Sequence, residues 1–310
     1  MSASISSEPD VRHRRADVER WRRDGFAIIE GFFTPAELEP LVRDYDELYG
    51  ARYHGDGEPV DFKAEGAIGA SHYKQFANID NLPFGASVEL DLISLHPALM
   101  AFARDLLDVS DVHLYQSHTW AKFTGEADFD QAFHCDFGNH TLTVPGDDPE
   151  LRTVDFIFYL TDVEPDLGAL AYVTKPDAYA ILGEGAVIAP PERQQDMRAR
   201  ERSAAGAAGT LVAHSIDTFH RGTNLTRPGG RRYTMTVGYK AAGNDAIGFH
   251  VWQAQQNRDF SQLFRHASPE QLACLGVPLP GEGFWTPRTL QLAQSRWPDW
   301  DMTTYREAAR

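Results

Sequence analysis

Cysteine is scarce in this chain, because only Cys135 and Cys274 occur among its 310 residues. Two cysteines cannot build the disulfide framework that holds small secreted domains together, and such scarcity suits a reducing compartment. The sequence has no run of 18 apolar residues, which argues against a membrane-spanning helix, and Met1 to Arg15 lacks the apolar stretch of a signal peptide. We therefore expect a cytoplasmic protein without membrane association.

Basic residues are also few compared with acidic ones. The 29 lysines and arginines face 45 aspartates and glutamates, which gives a formal net charge of −16. Binding of nucleic acid or of an anionic membrane needs clustered basic side chains, so this composition argues against both. We expect a small-molecule substrate and a monomer or homodimer; an acidic cavity mouth that attracts a cationic substrate is an alternative.

The composition is that of an ordinary globular protein, with 42% hydrophobic and 24% charged residues. A single domain spanning residues 1–310 is the default expectation, because β-rich domains with added helices often reach this length. Within it the sequence predicts a disordered tail (1–16), an N-terminal helical wrap (17–110), a β core (111–242) with an insertion (176–209), and a helical C-terminal extension (243–310).

Helix signals are concentrated in the first third of the chain. Thr34-Pro35-Ala36-Glu37 combines capping-box spacing with a proline at the first helical position, and apolar residues then recur every three or four positions. Two further helices are predicted at Val18 to Arg23 and at Pro97 to Leu107. A short strand, Phe26 to Ile29, is expected after Gly25.

Beyond Asp111 the pattern becomes that of β-strands separated by Gly, Pro and Asp clusters. Strands are predicted at Val112 to Phe123, Asp130 to Phe137, Thr153 to Leu160, Ala169 to Val173, Thr210 to His214 and Arg231 to Tyr239. This order predicts a mainly β fold with flanking helices, in which an antiparallel sandwich or barrel of jelly-roll type forms the core. The charged stretch from Pro191 to Arg202 is predicted to be helical.

A candidate metal site begins with His134 and Asp136. Alternate residues of a strand point to the same side, so both side chains would project together while Cys135 faces away. A third ligand from another strand would complete a 2-His-1-carboxylate triad, which leaves positions on iron(II) open for a co-substrate and dioxygen. Alone, however, His-x-Asp is a weak signal in a chain with 12 histidines.

A second segment, His220 to Arg232, lies 86 residues downstream of His134. Here a histidine ends one predicted strand, a turn rich in Gly, Asn and Pro follows, and the next strand opens with Arg231. An arginine one strand away from a metal ligand could hold the distal carboxylate of a dicarboxylate through a bidentate contact. A surface arginine that caps the loop is the alternative interpretation.

Together these segments resemble the phytanoyl-CoA dioxygenase-like family of iron(II)- and 2-oxoglutarate-dependent oxygenases. The resemblance also includes Asp24 to Phe32, the segment His96-Pro97-Ala98-Leu99, and Gly168-Ala169-Leu170. It implies a double-stranded β-helix (jelly roll, cupin-like) core, with iron(II) as cofactor and with 2-oxoglutarate and O2 as co-substrates. It also implies that His134, Asp136 and His220 bind the iron.

The resemblance places a 2-oxoglutarate-binding arginine about eleven residues after the distal histidine, which selects Arg231. Arg232 is the fallback, because neighbours in a strand face opposite sides. Gln116 and Lys122 stand where related enzymes have polar residues near the co-substrate. Thr223 is a candidate hydroxyl donor, although Arg221 interrupts the usual family pattern there.

The candidate substrate-binding residues lie on both sides of His134 and Asp136 in the sequence. They are Trp120, Phe137, Asn139, His140 and His72. For each of them, ordinary packing or exposure is the competing interpretation, and His214 is expected to pack or hydrogen-bond within its strand.

The reaction implied is hydroxylation of an unactivated C–H bond in a small metabolite, either a natural product or an amino-acid-like compound, with release of succinate and CO2. Asp136 argues against halogenation, because related halogenases have a small residue at that position. Desaturation, epoxidation, cyclisation and action on an acyl-CoA remain alternatives. So do a non-catalytic jelly-roll binding protein and a cupin-type metalloenzyme that does not use 2-oxoglutarate.

Overall fold

The computed structural model describes residues 10–50, 80–124, 130–146, 148–248 and 259–309. The strands are β1 (Phe26–Ile29), β2 (Val112–Phe123), β3 (Thr153–Tyr159), β4 (Ala171–Tyr172), β5 (Arg202–Ser203), β6 (Leu211–His214), β7 (His220–Arg221) and β8 (Arg231–Ala241). The helices are α1 (Arg15–Asp24), α2 (Pro35–Tyr49), α3 (Val88–Ile93), α4 (Pro97–Leu107), α5 (Phe137–His140), α6 (Lys175–Leu182), α7 (Gln194–Arg198), α8 (Ser261–His266), α9 (Pro269–Ala273), α10 (Pro287–Arg296) and α11 (Thr303–Ala308).

The strands form two antiparallel sheets, as the sequence predicted. The larger sheet has the order β1-β6-β3-β8-β2, and the smaller has the order β5-β4-β7. Helix α4 matches the predicted Pro97 to Leu107, and α2 begins at Pro35 with the expected capping box between Thr34 and Glu37. The predicted antiparallel sheets with flanking helices are therefore confirmed.

The pleat of the larger sheet separates an apolar face from a polar one. On β8, Tyr233, Met235 and Val237 are fully buried in the main hydrophobic core, which also contains side chains from α2 and α4. The alternate residues Thr234 and Thr236 face a cavity on the other side. Because side chains alternate along a strand, this parity fixes which residues can reach the cavity.

The predicted disordered tail is wrong for its described part, residues 10–16. Arg12 donates to both carboxylate oxygens of Glu37, at 3.0 and 2.7 Å, and His13 stacks on Phe102 with ring centroids 4.3 Å apart. Helix α1 already begins at Arg15. These contacts anchor the segment to α2 and α4, and composition alone did not reveal them.

Two predicted elements are shorter than expected. Instead of a strand from Asp130 to Phe137, the described residues form a single bridge at His134 and then the short helix α5. Between Pro191 and Arg202 the chain forms a 3-10 turn and α7, which ends at Arg198 before β5 begins. In both places tertiary pairing with distant strands overrides the local pattern.

The C-terminal part is helical over the described residues 259–309, where α8 to α11 lie. Trp285, Trp300 and Tyr305 pack edge to face, with centroids 4.9 to 5.9 Å apart. Among the helices that the structure describes, none is long and apolar enough to cross a membrane.

Gly209 lies just before β6 and packs against Phe33 in the N-terminal region. Its φ is +89°, and an added Cβ would lie 2.3 Å from the carbonyl oxygen of Phe33, whereas Gly243 has a φ of +84° with open space around it. We expect Gly243→Ala to lower the free energy of unfolding by about 1 kcal/mol, which is the backbone strain alone. Gly209→Ala adds overpacking and should lower it by about 3 kcal/mol.

Urea unfolding of both variants beside the wild type measures the difference. Equal losses for the two variants would contradict the close packing of Gly209 against Phe33.

Candidate functional site

A cavity of about 330 Å³ lies on the polar face of the larger sheet. The alternating β2 residues that line it are Gln116, His118, Trp120 and Lys122. The β8 residues that line it are Arg232, Thr234 and Thr236. Asp155 and Ile157 on β3 and His214 on β6 complete this side, and the segment from Gln131 to His140 lies with β7 on the other.

Two backbone hydrogen bonds connect the segments that carry the candidate metal ligands. The N–H of His134 donates to the carbonyl of His220 at 3.0 Å, and the N–H of His220 donates to the carbonyl of His134 at 2.8 Å. Such a mutually bonded antiparallel pair places both side chains on the same side of the ladder. The two imidazole rings accordingly lie 4.7 Å apart.

The segment that carries His134 is also fixed from the insertion. The side-chain amide of Gln194, on α7, donates to the carbonyl of Phe133 at 3.0 Å and accepts from its N–H at 2.7 Å. The thiol of Cys135 donates to the carbonyl of Val187 at 3.1 Å. Asp136 then precedes α5 with φ −83° and ψ 2°, so a turn rather than strand alternation directs its carboxylate to the cavity.

Together, His134, Asp136 and His220 have the geometry of a metal site. One ligand atom from each lies within 4.8 Å of the others. The Nε2 atoms of His134 and His220 are 3.9 and 3.7 Å from the Asp136 carboxylate oxygens, too far for hydrogen bonds. One ion with bonds of about 2.1 Å can bridge each of these separations.

The protonation of the two imidazoles also fits a metal. Nδ1 of His134 lies 2.9 Å from the carbonyl of Ala132, and Nδ1 of His220 lies 3.1 Å from the carbonyl of Thr218. Carbonyl oxygens only accept, so each Nδ1 carries the proton and each Nε2 presents a lone pair. Backbone carbonyls therefore orient both rings so that Nε2 is available to a metal.

The electrostatic environment also favours the ionisation states in which Asp136 and His220 can bind a metal. Burial lowers the pKa of His220 and keeps its imidazole neutral, against the opposing effect of Asp136. Burial alone would raise the pKa of Asp136, but His220 and His134 outweigh it, and the net pKa lies below the ordinary value. At neutral pH the site therefore offers the Asp136 carboxylate and, at His220, a neutral imidazole.

The other end of the cavity carries two buried cations. Lys122 and Arg232 are cross-strand partners on β2 and β8, and they are only 9% and 5% exposed. No carboxylate of the described residues lies within 4.0 Å of either charge, and Arg232 Nε is buried there without a hydrogen-bond partner. Burial, followed by the neighbouring Arg232, lowers the pKa of Lys122 to about 7.

The prediction that Arg231 faces this cavity is wrong. Arg231 pairs with Phe123, shares the face of Tyr233, and forms a 2.6 Å ion pair with Asp46 outside the cavity. Its guanidinium lies over the Tyr233 ring, 5.0 Å from the centroid. Arg232, the fallback, is the arginine that lines the cavity, and it also donates to the carbonyl of Gly168.

Most of the other predicted residues lie at the cavity, but two do not. The residues that line it are Gln116, Lys122, Trp120, Asn139 and His140. Thr223 instead donates to the carbonyl of Ala169 at 2.7 Å, along a separate surface groove, and so does not line this cavity. Phe137 is 7% exposed and packs in a hydrophobic cluster with Phe133 rather than forming a cavity wall. His72 lies outside the described residues.

Sequence reasoning missed Asp155 and underestimated His214. Asp155 accepts hydrogen bonds from the hydroxyl of Tyr115 at 2.7 Å and from the amide of Gln116 at 2.5 Å, while burial raises its pKa to about 7. His214 does hydrogen-bond near its strand, to Tyr172, but it also lines the cavity. The signal for Asp155 was a single carboxylate inside the apolar run Val154 to Leu160.

Comparison with known proteins agrees with this site. The family model described as phytanoyl-CoA dioxygenase (PhyH) matches residues 21–233, well over half of the 310-residue chain. The matched range includes the three candidate metal ligands and both cavity cations.

Solved structures with the same fold include non-heme α-ketoglutarate-dependent enzymes of nogalamycin biosynthesis. The carbocyclase SnoK is 19% identical with a TM-score of 0.54, and the match covers 76% of this chain and 88% of that chain. The epimerase SnoN, in complex with Fe³⁺, α-ketoglutarate and nogalamycin RO, is 18% identical with a TM-score of 0.53 and coverages of 73% and 83%.

A third similar structure is that of EvdO2 from Micromonospora carbonacea var. aurantiaca. It is 15% identical with a TM-score of 0.52, and the match covers 76% of this chain and 98% of that chain. At these identities the likeness shows a common fold, and the family match adds the cofactors, iron and 2-oxoglutarate. The chain thus belongs to the phytanoyl-CoA dioxygenase family of non-heme iron- and 2-oxoglutarate-dependent oxygenases.

Proposed function

We propose that His134, Asp136 and His220 hold iron(II), and that the protein hydroxylates an unactivated C–H bond of a small metabolite while 2-oxoglutarate becomes succinate and CO2. One observation carries this proposal. A three-residue metal site and a pair of buried cations without carboxylate partners among the described residues line one cavity. A dicarboxylate that chelates a metal with one end requires cationic groups for the other.

The double-stranded β-helix core is part of the same proposal. His220 lies on β7 of the smaller sheet, whereas Lys122 and Arg232 lie on the larger one, and all three line the cavity. A cavity lined from two sheets is what a jelly roll provides. This supports the closed arrangement that the resemblance implies.

Arg232 and Lys122 are proposed to bind the distal carboxylate of 2-oxoglutarate. The unpartnered Nε of Arg232 supplies a charge-assisted hydrogen bond, and Lys122 supplies a second one from the neighbouring strand. When bound, iron(II), 2-oxoglutarate and O2 together supply the oxidation of the C–H bond. The protein's own residues fix the positions of co-substrate and substrate and exclude bulk water.

The substrate is proposed to be small. A volume of about 330 Å³ lies at the lower end of the range of about 300–1,000 Å³ for ligand pockets, and 2-oxoglutarate occupies part of it. Trp120, Asn139 and His140 remain as substrate-facing side chains at this cavity.

The proposed function is tested by succinate release from 2-oxoglutarate with iron(II), ascorbate and O2. We expect release by the wild type and by the surface variant His266→Ala, and at least a tenfold loss in His134→Ala, because one of three protein ligands is missing. Binding of 2-oxoglutarate to the iron(II) protein is measured anaerobically alongside. A wild-type protein that binds neither iron(II) nor 2-oxoglutarate would overturn the proposal.

The two neighbouring arginines make a matched pair of variants. Arg232→Ala should raise the KM for 2-oxoglutarate by about 100-fold, since a buried charge-assisted hydrogen bond contributes up to about 3 kcal/mol. Arg231→Ala removes an exposed ion pair with Asp46 and a contact with the Tyr233 ring, both outside the cavity, and should change KM by about twofold at most. The opposite ranking would show that the register of β8 is wrong.

The low pKa of Lys122, about 7, predicts a pH dependence of co-substrate binding. Below that pH the ammonium is charged and attracts the carboxylate; above it the amine is neutral. Calorimetry should therefore show 2-oxoglutarate affinity falling about tenfold from about pH 6 to about pH 8. In Lys122→Met the affinity for 2-oxoglutarate should be lower than in the wild type at pH 6 and should change little with pH. Parallel plots of affinity against pH for the two proteins would refute the assignment of Lys122 to co-substrate binding.

A further inference from the structure

A row of polar side chains crosses the floor of the cavity at one level of the larger sheet. Gln116 pairs with Gly238, Gly238 pairs with Asp155, and Asp155 pairs with His214. Gln116, Asp155 and His214 all line the cavity. They therefore form one continuous polar strip next to the candidate metal ligands, since the rings of His214 and His220 are 4.9 Å apart.

Gly238 provides the space for this row. A Cβ at this position would lie 2.4 Å from Oδ1 of Asp155 and 2.6 Å from Cγ of Gln116. The register of β2 also shifts between Leu114 and Gln116, so Tyr115 is an extra residue whose hydroxyl reaches Asp155 as well. The bulge and the glycine together hold the Asp155 carboxylate in one place.

His214 lines the cavity and has a buried ring nitrogen without a partner among the described residues. Its Nδ1 lies 3.2 Å from the hydroxyl of Tyr172. We assign the Tyr172 hydroxyl as the donor, because Tyr172 is fully buried and its proton would otherwise have no acceptor among the described residues. The neutral ring then carries its proton on Nε2, and this atom is buried with no partner in the described structure. His214 is only 1% exposed, and a buried donor that lacks a partner is unfavourable until a bound group accepts its hydrogen bond.

We propose that Asp155 and His214 form a subsite for a substrate hydroxyl group, and that the substrate is a polyhydroxylated small molecule of sugar or cyclitol type. Directly opposed residues have Cβ atoms about 4.5–5.5 Å apart, so one bound oxygen can reach both side chains. A hydroxyl accepts from His214 Nε2 and donates to Asp155 through the same atom. The inference rests on the proposed function, because it assigns the substrate of that oxygenase.

The rest of the cavity supports this substrate class. Among the described residues that line it, only Trp120, Ile157 and Leu170 have apolar side chains. A hydrocarbon substrate would strip water from the remaining polar groups without replacing their hydrogen bonds. A substrate ammonium could donate to Asp155 but could not accept from His214, and it would share the cavity with Lys122 and Arg232.

The subsite also has a consequence for the reaction. A hydroxyl held between Asp155 and His214 lies close to His220, so the carbon atoms next to that hydroxyl are brought to the metal side of the cavity. Asp155 and His214 are thus specificity residues for the proposed oxygenase reaction.

The test compares three six-membered-ring probes on protein loaded with zinc(II) and 2-oxoglutarate, which does not turn over. Myo-inositol carries several hydroxyls, cyclohexanol carries one, and cyclohexylamine carries an ammonium. Ligand-observed NMR titration should show myo-inositol binding at least tenfold more tightly than either of the others. The 2-oxoglutarate affinity is measured by calorimetry before any probe is added.

Variants of His214 identify the subsite. His214→Phe should weaken myo-inositol binding about tenfold, whereas His214→Gln, which keeps a donor, should lose about threefold at most. Both should bind 2-oxoglutarate within twofold of the wild type, as should the surface control His266→Phe. Asp155→Asn should weaken myo-inositol binding about tenfold while leaving 2-oxoglutarate binding unchanged.

The outcomes separate this inference from the proposed function. If cyclohexanol or cyclohexylamine binds as tightly as myo-inositol, or if His214→Phe binds myo-inositol like the wild type, the hydroxyl subsite is refuted while 2-oxoglutarate binding still stands. If the wild type fails to bind 2-oxoglutarate, the proposed function fails first, before any probe is tested.

Discussion

The site depends on the pair of backbone hydrogen bonds between His134 and His220. This bridge joins two segments that are far apart in sequence and sets the separation of their imidazoles. Neighbouring contacts support that pairing. The side chain of Gln194 bonds to both backbone groups of Phe133, and the carbonyl of Thr218 orients the His220 ring. Iron ligation by this site therefore needs no large rearrangement of the backbone.

The second constraint is the pleat of the larger sheet, which gives the cavity two chemically distinct ends. Lys122 and Arg232 occupy one level, and Asp155 and His214 occupy another, with threonines between them on β8. A dicarboxylate and a hydroxylated substrate would then be separated by charge as well as by position. The same sheet buries its other face in the main core, which keeps these levels rigid.

Much of this arrangement could be predicted from particular residues. The capping box at Thr34, the uninterrupted helix from Pro97 to Leu107 and the long strand from Val112 are local patterns, and the structure has them. The prediction of Arg231 rests on the spacing from His220 that the family resemblance implies. The apolar alternation of Tyr233, Met235 and Val237 already placed Arg231 on the core face.

What could not be predicted depends on contacts between distant parts of the chain. The turn at Asp136, the hydrogen bond from Thr223 to Ala169 and the meeting of Gln116 with Asp155 over Gly238 all depend on which strands become neighbours. No single segment encodes them. Likewise, Arg12 is ordered because Glu37 lies beside it in space.

Five histidines of the described residues line this cavity: His118, His134, His140, His214 and His220. Only His134 and His220 among them are proposed to bind iron, which an anaerobic crystal structure with iron(II) and 2-oxoglutarate tests directly. The predicted result is iron bonded to Nε2 of His134, a carboxylate oxygen of Asp136 and Nε2 of His220, with the distal carboxylate of 2-oxoglutarate on Arg232. A third histidine on the iron, or a 2-oxoglutarate carboxylate away from Arg232, would contradict it.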